Sequence, residues 1–345
     1  MDGPAGWVDV SFPVMGTLGR LRLRGPEPEA LAADCRDLLR ELEGLWSRFA
    51  PGSDVARLNA ARGAGGAAVA VDPRTDALLS AAARLSRRTG GRFSPAIGAR
   101  LTRQEGGRWR VRESGGGAGG RGDGIVGKVG GGSVGRGGDG GVGGRGDGIV
   151  GKVGGGTVDL GGIAKGRAAD AARDLAARRG ARAALVSLGT SSVAVLGERP
   201  GGGPWRVGLR PPGGAADTAF GVVEVGSGAV STSGDYARAE GLTVDPRTGE
   251  PAASGVRSAS VLAADGAAAE AYSTAFLVGG CELALALYGE GGEFEAVLVT
   301  DQAVVATPGL RGRFTAGAAG IRVIGGNSPH STGAPGPTCG PRLLG

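Results

Sequence analysis

The chain has 345 residues, enough for one large domain or two, and a net charge of +6 from 39 Lys and Arg against 33 Asp and Glu. This excess is too mild to indicate nucleic-acid binding by itself. The three cysteines form no CxxC pair, and the single histidine, His330, lies in a stretch rich in Pro, Gly and Ser. The sequence therefore disfavours a disulfide framework, a zinc site and a histidine-based catalytic triad.

The first predicted elements are two strands and two helices. Residues 8–12 and 18–23 read as strands joined by a turn at 14–17. Apolar residues at helical spacing predict a helix over 27–49 with one buried face. A Pro-Gly pair ends this helix, and Ser53 directly after it can cap a second, short helix.

A third amphipathic helix is predicted over 76–89, ended by the Gly-Gly pair that follows it. Residues 93–98 then form a loop, and 109–111 read as the end of an edge strand. The tract 114–156 differs in kind because 24 of its 43 residues are Gly. So much glycine costs too much backbone entropy to order without a side-chain core, which predicts a flexible surface insertion.

The glycine-rich tract contains a tandem copy, since residues 119–134 recur at 143–158 with one change, Ser133 to Thr157. A repeat seen only twice indicates duplication rather than a solenoid. Two Arg-Gly-Asp tripeptides and the Arg/Gly composition allow adhesion or loose RNA binding. Both readings are disfavoured, since such a composition produces these patterns by chance.

The stretch Val158 to Asp170, VDLGGIAKGRAAD, predicts a strand, a Gly161-Gly162 turn and a helix with Lys165 in its first turn. A helix that opens after a glycine turn aims unpaired N–H groups at whatever lies there, which suits a phosphate or pyrophosphate. The alternative is an ordinary strand–turn–helix corner. The GK[ST] ending of a phosphate-binding P-loop is missing.

The remaining elements alternate between strands and turns, with one more helix. Strands are predicted at 183–187, 193–196, 205–209, 220–225, 258–262, 293–299 and 303–306. The polar segments 229–236 and 242–252 read as turns, 267–278 as a helix, and residues from about 325 as a disordered tail.

The N-terminal sequence MDGPAGWVDV has neither the basic nor the apolar region of a signal peptide. No apolar run is long enough for a transmembrane helix. These features predict a cytoplasmic protein without stable membrane insertion; a start site placed further upstream would leave export open.

Nine segments together resemble the FAD:protein FMN transferase (ApbE-type flavin transferase) family, and they occur in the family's order. They cover roughly residues 12 to 310, and no single one of them is decisive. The matching segments are PVMGT at 13–17, LWSRFAPGSDVARLN at 45–59, TGGRFSP at 89–95, VDLGGIAKGRAAD at 158–170, ALVSLG at 184–189, WRVGL at 205–209, VSTSGDY at 230–236, VDPRTGEP at 244–251 and AEAYSTAFLVGG at 269–280.

The resemblance implies an α+β fold with mixed and antiparallel sheets and flanking helices. It implies one transferase domain over 1–325, with the insertion at 114–156 and a tail at 326–345. It also implies a Mg²⁺-dependent reaction in which FAD is the substrate, AMP leaves, and FMN is esterified to a Thr or Ser hydroxyl of a flavin-accepting target protein.

Carried over by position, the resemblance places a metal between the glycine turn and the last predicted helix. The metal ligands would be Gly162, Glu270, Ser273 and Thr274, and Glu270, Thr274 and Lys165 would serve catalysis. The FAD site would be lined by Met15, Phe49, Arg92, Phe93, Ser94, Asp159, Lys165 and Val244, with Phe49 stacking on the flavin. The alternatives are a solvated helix charge for Glu270 and a core ring for Phe49.

The chain also departs from the family pattern. Ser94 and Ser191 stand where the family usually has Asp, Ser187 where it has Asn, and Glu270 where it has Asp. Leu242 replaces a His proposed as a base, and base assistance is worth about 10²–10⁴-fold in rate. Asp235 or Glu240 could substitute, but the sequence selects neither. An alternative function is therefore a weakened FAD-binding protein or a slow FAD pyrophosphatase.

Overall fold

The computed structural model of the chain describes residues 6–63, 66–113, 156–214, 218–234, 243–316 and 321–323. The glycine-rich tract and the tail, with the predictions made for them, lie outside these ranges. So do Leu242 and the two candidate bases, Asp235 and Glu240.

The described residues form an α+β fold, as predicted. The helices are α1 (Pro28–Trp46), α2 (Asp54–Gly63), α3 (Pro73–Arg88), α4 (Ala164–Arg178) and α5 (Gly266–Gly289). The strands are β1 (Trp7–Val14), β2 (Thr17–Arg24), β3 (Val69–Ala70), β4 (Ala96–Ile97), β5 (Ala99–Arg103), β6 (Arg108–Glu113), β7 (Thr157–Val158), β8 (Ala183–Leu188), β9 (Ser192–Leu196), β10 (Trp205–Leu209), β11 (Gly221–Val225), β12 (Gly228–Gly234), β13 (Val256–Ala263), β14 (Phe294–Thr300), β15 (Val304–Ala306), β16 (Phe314–Ala316) and β17 (Ile321–Val323).

The central sheet of the described chain has nine strands in the order β1-β2-β8-β9-β12-β13-β14-β15-β17. Its neighbouring strands are antiparallel except for the last pair, β15 and β17. The hairpin β1–β2 turns on Met15 and Gly16, whose φ angles of 53° and 69° give the backbone twist that two-residue hairpin turns favour. The predicted strands and turn are confirmed here, and both strands extend slightly beyond their predicted ends.

Helices α1, α4 and α5 cover one face of the central sheet and bury the main hydrophobic core. On the opposite face, the three-stranded sheet β10-β11-β16 encloses a second core that includes Trp205, Leu209 and Val223. The central sheet is therefore covered on both faces. This explains why strands such as β13 are buried along most of their length rather than alternating.

Helix α5 is the described helix with the length and apolar composition of a membrane span. About two thirds (67%) of its most apolar 18-residue stretch is buried inside the protein, where the helix packs on β12 and β13. That composition is therefore explained by packing in the core. The predicted helix over 267–278 corresponds to the first part of α5, which is interrupted at Gly280 by a φ of 73°.

Two predicted helix ends are confirmed in detail. Ser53 caps α2, because its hydroxyl accepts a hydrogen bond from the Ala56 N–H at 3.0 Å. Helix α3 ends as predicted, with the Gly90 N–H bonded to the Arg87 carbonyl and the Gly91 N–H to the Ser86 carbonyl. It begins earlier than predicted, because Asp72 supplies the cap.

Helix α1 ends at Trp46, three residues before its predicted end, and strand β4 lies within the predicted loop 93–98. Two further sequence interpretations are wrong. Strand β6 is the centre of the sheet β3-β6-β5, not an edge, since β3 and β5 pair on its two sides. The segment interpreted as a polar turn at 229–236 is, up to Gly234, the strand β12 in the middle of the central sheet. Its small hydroxyl residues suggested a turn, but they are buried or half-buried in the sheet and partly bonded to neighbouring side chains.

Candidate functional site

The glycine corner begins where β7 ends. Asn59 fixes β7 with two hydrogen bonds to Val158, accepting from its N–H at 2.8 Å and donating to its carbonyl at 3.0 Å. The next residue, Asp159, accepts a hydrogen bond from the Gly161 N–H at 2.8 Å. This bond holds the turn closed, so the chain enters α4 at the predicted position.

Helices α4 and α5 cross at two glycines. A Cβ atom added to Gly166 would lie 2.0 Å from the Gly266 carbonyl oxygen, and one added to Gly266 would lie 2.7 Å from the Gly166 carbonyl oxygen. Neither position can hold a larger residue without moving the backbone. The two helix starts are therefore in direct main-chain contact.

Each helix supplies a carboxylate to the start of the other. The Glu270 Oε2 atom on α5 accepts a hydrogen bond from the Gly166 N–H at 2.8 Å. The Asp170 Oδ2 atom on α4 accepts one from the Gly266 N–H at 2.6 Å. Both N–H groups belong to first turns, which lack partners within their own helices. The reciprocal caps fix the position of Glu270 relative to the glycine corner.

Glu270 is 2% exposed, so its interpretation as a solvated helix charge is wrong. Its Oε1 atom lies 3.4 Å from the Lys165 Nζ atom, which in turn donates to the Gly161 carbonyl at 3.5 Å. A lysine in the first turn of a helix opposes the helix dipole. The buried carboxylate offsets that repulsion and fixes the ammonium group beside the glycine turn.

A group of hydroxyls continues the site along α5. Ser273 and Thr274 both donate to the Glu270 carbonyl at 2.9 Å, so towards other neighbours their oxygens act as acceptors. Ser233 on β12 lies 2.8 Å from the Ser273 hydroxyl and 3.4 Å from that of Thr274. Ser233 was missed from sequence, although it lies in the VSTSGDY segment, because that segment was interpreted as a turn.

Five hydroxyls of the described residues, including those of Ser192 and Ser258, are buried without a hydrogen-bond partner. Three of the five belong to segments near the site. They are those of Ser94, Ser231 and Thr243. Ser231 lies two residues before Ser233 in β12. Thr243 directly precedes Val244, which is a predicted FAD contact. Buried polar groups without partners are rare in folded proteins and are commonly satisfied by a ligand or water.

Phe49 is 71% exposed, so its interpretation as a core ring is wrong. The Arg48 guanidinium lies 4.4 Å from the centre of the Phe49 ring, and an Arg48 nitrogen lies 3.5 Å from the Asp159 Oδ2 atom. Contacts thus lead from Phe49 through Arg48 to Asp159 and the glycine corner. An exposed aromatic ring in this position suits stacking on a planar ligand.

The remaining predicted FAD contacts lie on other elements. Met15 is in the β1–β2 turn, and Val244 forms an isolated bridge with Pro251. Phe93 is 1% exposed in the core, and its N–H donates to the Thr89 hydroxyl at 3.2 Å. Arg92 lies against Gly279 of α5, and burial together with the neighbouring Arg247 lowers its pKa.

The turn at 245–249 is closed by an ion pair. Two Arg247 nitrogens bind the Asp245 carboxylate at 3.0 and 2.6 Å, and the Arg247 N–H donates to the same group at 2.9 Å. These bonds lower the pKa of Asp245 despite its partial burial. Asp245 and Arg247 therefore hold this turn in a fixed shape.

Asp170 has an altered pKa at the helix crossing. Burial raises its pKa to about 7, with smaller contributions from Asp265 and Asp174, whereas Arg173 and the bond from Gly266 oppose the increase. An Arg173 nitrogen lies 3.0 Å from the Asp170 Oδ1 atom. Asp170 ends the VDLGGIAKGRAAD motif, and the sequence alone assigned it no role.

Comparison with known proteins gives the family. The sequence profile of the ApbE family matches residues 15–298. The chain belongs to the ApbE family. It is 32% identical to an FAD:protein FMN transferase of Treponema pallidum over 339 residues, which cover 86% of each chain. It is 33% identical to one of Rhodobacter capsulatus over 329 residues, which cover 92% of this chain and 60% of the relative.

The chain spans about half of an FAD:protein FMN transferase of Klebsiella pneumoniae, which is 29% identical over 170 residues. Solved structures agree with the fold. The ApbE protein of Thermotoga maritima superposes with a TM-score of 0.68 at 22% identity, covering 89% of this chain and 99% of that one. The flavin transferase ApbE of Vibrio cholerae gives 0.67 at 22% identity, covering 90% and 100%. The ApbE fold predicted for this chain is confirmed.

The structure brings six of the predicted site residues into one connected group. Phe49, Asp159, Lys165, Glu270, Ser273 and Thr274 are joined by direct contacts or through Arg48 and the glycine corner. Arg92 belongs to a second group near the interruption of α5, with Arg247 and Asp245. Ser233, Arg48 and Asp170 are additions that sequence reasoning did not select.

Proposed function

We propose that this ApbE-family protein transfers FMN from FAD to a Thr or Ser hydroxyl of a target protein and releases AMP. The observation that carries the proposal is the buried Glu270–Lys165 pair fixed at a glycine corner, next to the three hydroxyls of Ser233, Ser273 and Thr274. That arrangement offers a cation and several oxygen donors at one place. These are the groups that a pyrophosphate and its counterion require.

In the proposed reaction, the acceptor oxygen forms a bond to the flavin-side phosphorus while the bond from that phosphorus to the AMP oxygen breaks. The Lys165 ammonium and the first turn of α4 stabilise negative charge on the phosphates. Phe49 stacks on the isoalloxazine and holds the flavin side in place. The acceptor proton goes to a base that the described residues do not identify, and Asp235 and Glu240 remain the candidates.

The donor set fits Mg²⁺. Among the described residues no three His, Cys, Asp or Glu side chains gather as a metal site. However, Mg²⁺ is usually held by one or two carboxylates together with substrate phosphates and water. Glu270, the hydroxyls of Ser273 and Thr274 and the Gly162 carbonyl would supply hard oxygen ligands of this kind. When bound, the ion would neutralise charge that develops on the pyrophosphate.

A second candidate function is supported by one departure from the family. Leu242 stands where the family often has a His, and its apolar side chain cannot accept a proton. Without an equivalent base, the protein would bind FAD and transfer FMN slowly, or pass the phosphoryl group to water as a slow pyrophosphatase.

One incubation separates the two functions. Purified protein is mixed with FAD, Mg²⁺ and a Thr-containing peptide, and the products are separated by chromatography. We expect a flavin-labelled peptide and AMP in equal amounts, and no label on the matched peptide with Val in place of Thr. Free FMN and AMP without labelled peptide would indicate the pyrophosphatase. FAD that stays intact under every divalent cation would contradict both.

A further inference from the structure

The hairpin β5–β6 carries an arginine-rich outer face, defined here as Arg100, Arg110 and Arg112. The pairing register places Arg100 directly opposite Arg112 and Thr102 opposite Arg110. Arg100 and Arg112 are exposed, and Arg110 is half-buried. The inward positions of the same strands, which include Leu101 and Val111, are buried in the core. The arginines therefore share the face that points away from the protein.

Among the residues that the structure describes, these three arginines have no acidic partner, whereas their neighbours do. Arg103 binds Asp76 at 2.6 Å, and Arg62 lies 3.5 Å from Glu113. Arg110 Nε is buried and has no hydrogen-bond partner. Like charges placed directly across two strands destabilise a sheet. The hairpin thus keeps a repulsive arrangement that an anionic partner would relieve.

The hairpin is connected to the proposed active site along the chain and through strand pairing. β5 begins five residues after Ser94, and β4 between them pairs with β7, whose end leads into Asp159 and the glycine corner. A polypeptide bound on the arginine-rich face therefore lies on the hairpin that follows Ser94 and β4 in the chain. That placement suits a part of the protein substrate rather than a remote partner.

We propose that the arginine-rich face of β5–β6 binds an acidic segment of the flavin-accepting protein; this inference rests on the proposed function. Guanidinium groups bind carboxylates through paired hydrogen bonds, so adjacent arginines recognise adjacent Asp or Glu side chains. The outward positions of the hairpin are arginines and a threonine, without an aromatic ring for base stacking. They also lack the apolar side chains that anchor a protein at a lipid surface. These features favour a protein partner over a nucleic acid or a membrane.

The test begins with binding in the absence of FAD, so that it does not depend on transferase activity. The probe is a short fluorescent glutamate homopolymer, and the variant is R100E/R112E. The control is R84E/R87E, which makes the same change in net charge at two exposed positions of α3. We expect the first variant to weaken binding about tenfold or more and the control to weaken it far less, because close charge pairs contribute more than long-range attraction.

A second measurement connects the face to the acceptor. Transfer is followed to two Thr peptides that differ only in an acidic or a neutral flank. We expect R100E/R112E to raise KM for the acidic peptide at unchanged kcat and to leave the neutral peptide unaffected. Equal weakening by variant and control in the glutamate assay would overturn the proposal. So would tighter binding of an oligonucleotide of equal charge that is lost in R100E/R112E. If no peptide is labelled by the wild type, the proposed function fails, and the glutamate assay still decides whether the face binds acidic chains.

Discussion

Two regions of the site are built in opposite ways. One is the crossing of α4 and α5, and the other is the surface formed by Phe49 and Arg48, called the wall below. At the crossing of α4 and α5, Glu270 and Asp170 are at most 2% exposed and each is hydrogen-bonded to the other helix. On the wall, Phe49 is 71% exposed and is contacted by the Arg48 guanidinium. The first region is held in place by hydrogen bonds within the protein. The second presents a surface that a ligand would cover.

This contrast separates two tasks of the proposed transferase. Groups that stabilise charge are most effective when they are fixed in advance in a site from which water is excluded. A ring that grips the flavin has to be open, because the substrate enters and the product leaves there. We therefore expect changes at the crossing to affect catalysis or stability, and changes on the wall to affect FAD affinity alone.

Glu270→Gln should have the largest effect. The amide oxygen can still accept the hydrogen bond from Gly166, but the negative charge beside Lys165 is lost. We expect transfer of FMN to the Thr peptide to fall by about 10²–10³-fold, the usual cost of removing one pre-organised electrostatic group. The melting temperature should change little. Glu282→Gln, an exposed position on the same helix, is the control and should retain activity. Normal turnover by Glu270→Gln would remove this residue from the mechanism.

Gly166→Ala tests whether the close approach of α4 and α5 is needed for stability. The added Cβ would meet the Gly266 carbonyl oxygen at 2.0 Å, so the two helices must separate. We expect the free energy of unfolding to fall by about 3 kcal/mol, the upper part of the range for overpacking. Gly44→Ala in α1 is the matched control, since nothing lies within 4 Å of its added Cβ, and it should stabilise the protein by about 0.5–1 kcal/mol. Similar results for both variants, from urea unfolding, would show that the crossing is adaptable.

Asp170→Asn tests the buried carboxyl at the crossing. Its pKa is about 7 in the folded protein against 3.8 for the exposed group, so the folded state keeps the proton that the unfolded chain releases. This stabilisation is complete below about pH 4 and is lost as the pH rises through 7. Between about pH 5 and 8 the wild type should lose about 2–3 kcal/mol of unfolding free energy from this group. Asp170→Asn should lack that slope in urea unfolding, whereas Asp174→Asn should keep it. Equal slopes in all three proteins would assign the pH dependence to other groups.

Local signals predicted much of the fold. The spacing of apolar residues predicted the helices. The glycine pair predicted where α3 ends, and Ser53 predicted where α2 begins. The strand β12 was missed because Ser and Thr side chains favour turns, and only its place between β9 and β13 explains why they are buried. The family resemblance assigned Lys165, Glu270 and Thr274 to one site. In the structure Lys165 and Thr274 both contact Glu270.

The helix crossing itself had no local signal. The residues that cap each other's helices are about a hundred positions apart in sequence, as the pair Gly166 and Glu270 shows. For both glycines, the requirement for a small residue comes from the other helix. The sequence also did not determine whether Phe49 is buried or exposed, since a phenylalanine just after an amphipathic helix fits a core as well as a surface.

Phe49→Ala should have the smallest effect and is the most direct test of the wall. The ring contributes little to the core, so the melting temperature should stay within the error of the wild type. If the ring stacks on the isoalloxazine, FAD affinity measured by flavin fluorescence should fall about tenfold, the usual contribution of aromatic stacking. Leu18→Ala removes another large exposed apolar side chain, 61% exposed on β2, and should leave FAD affinity unchanged. Loss of stability without loss of affinity in Phe49→Ala would mean that the ring supports the fold, and the division between a fixed crossing and an open wall would then fail.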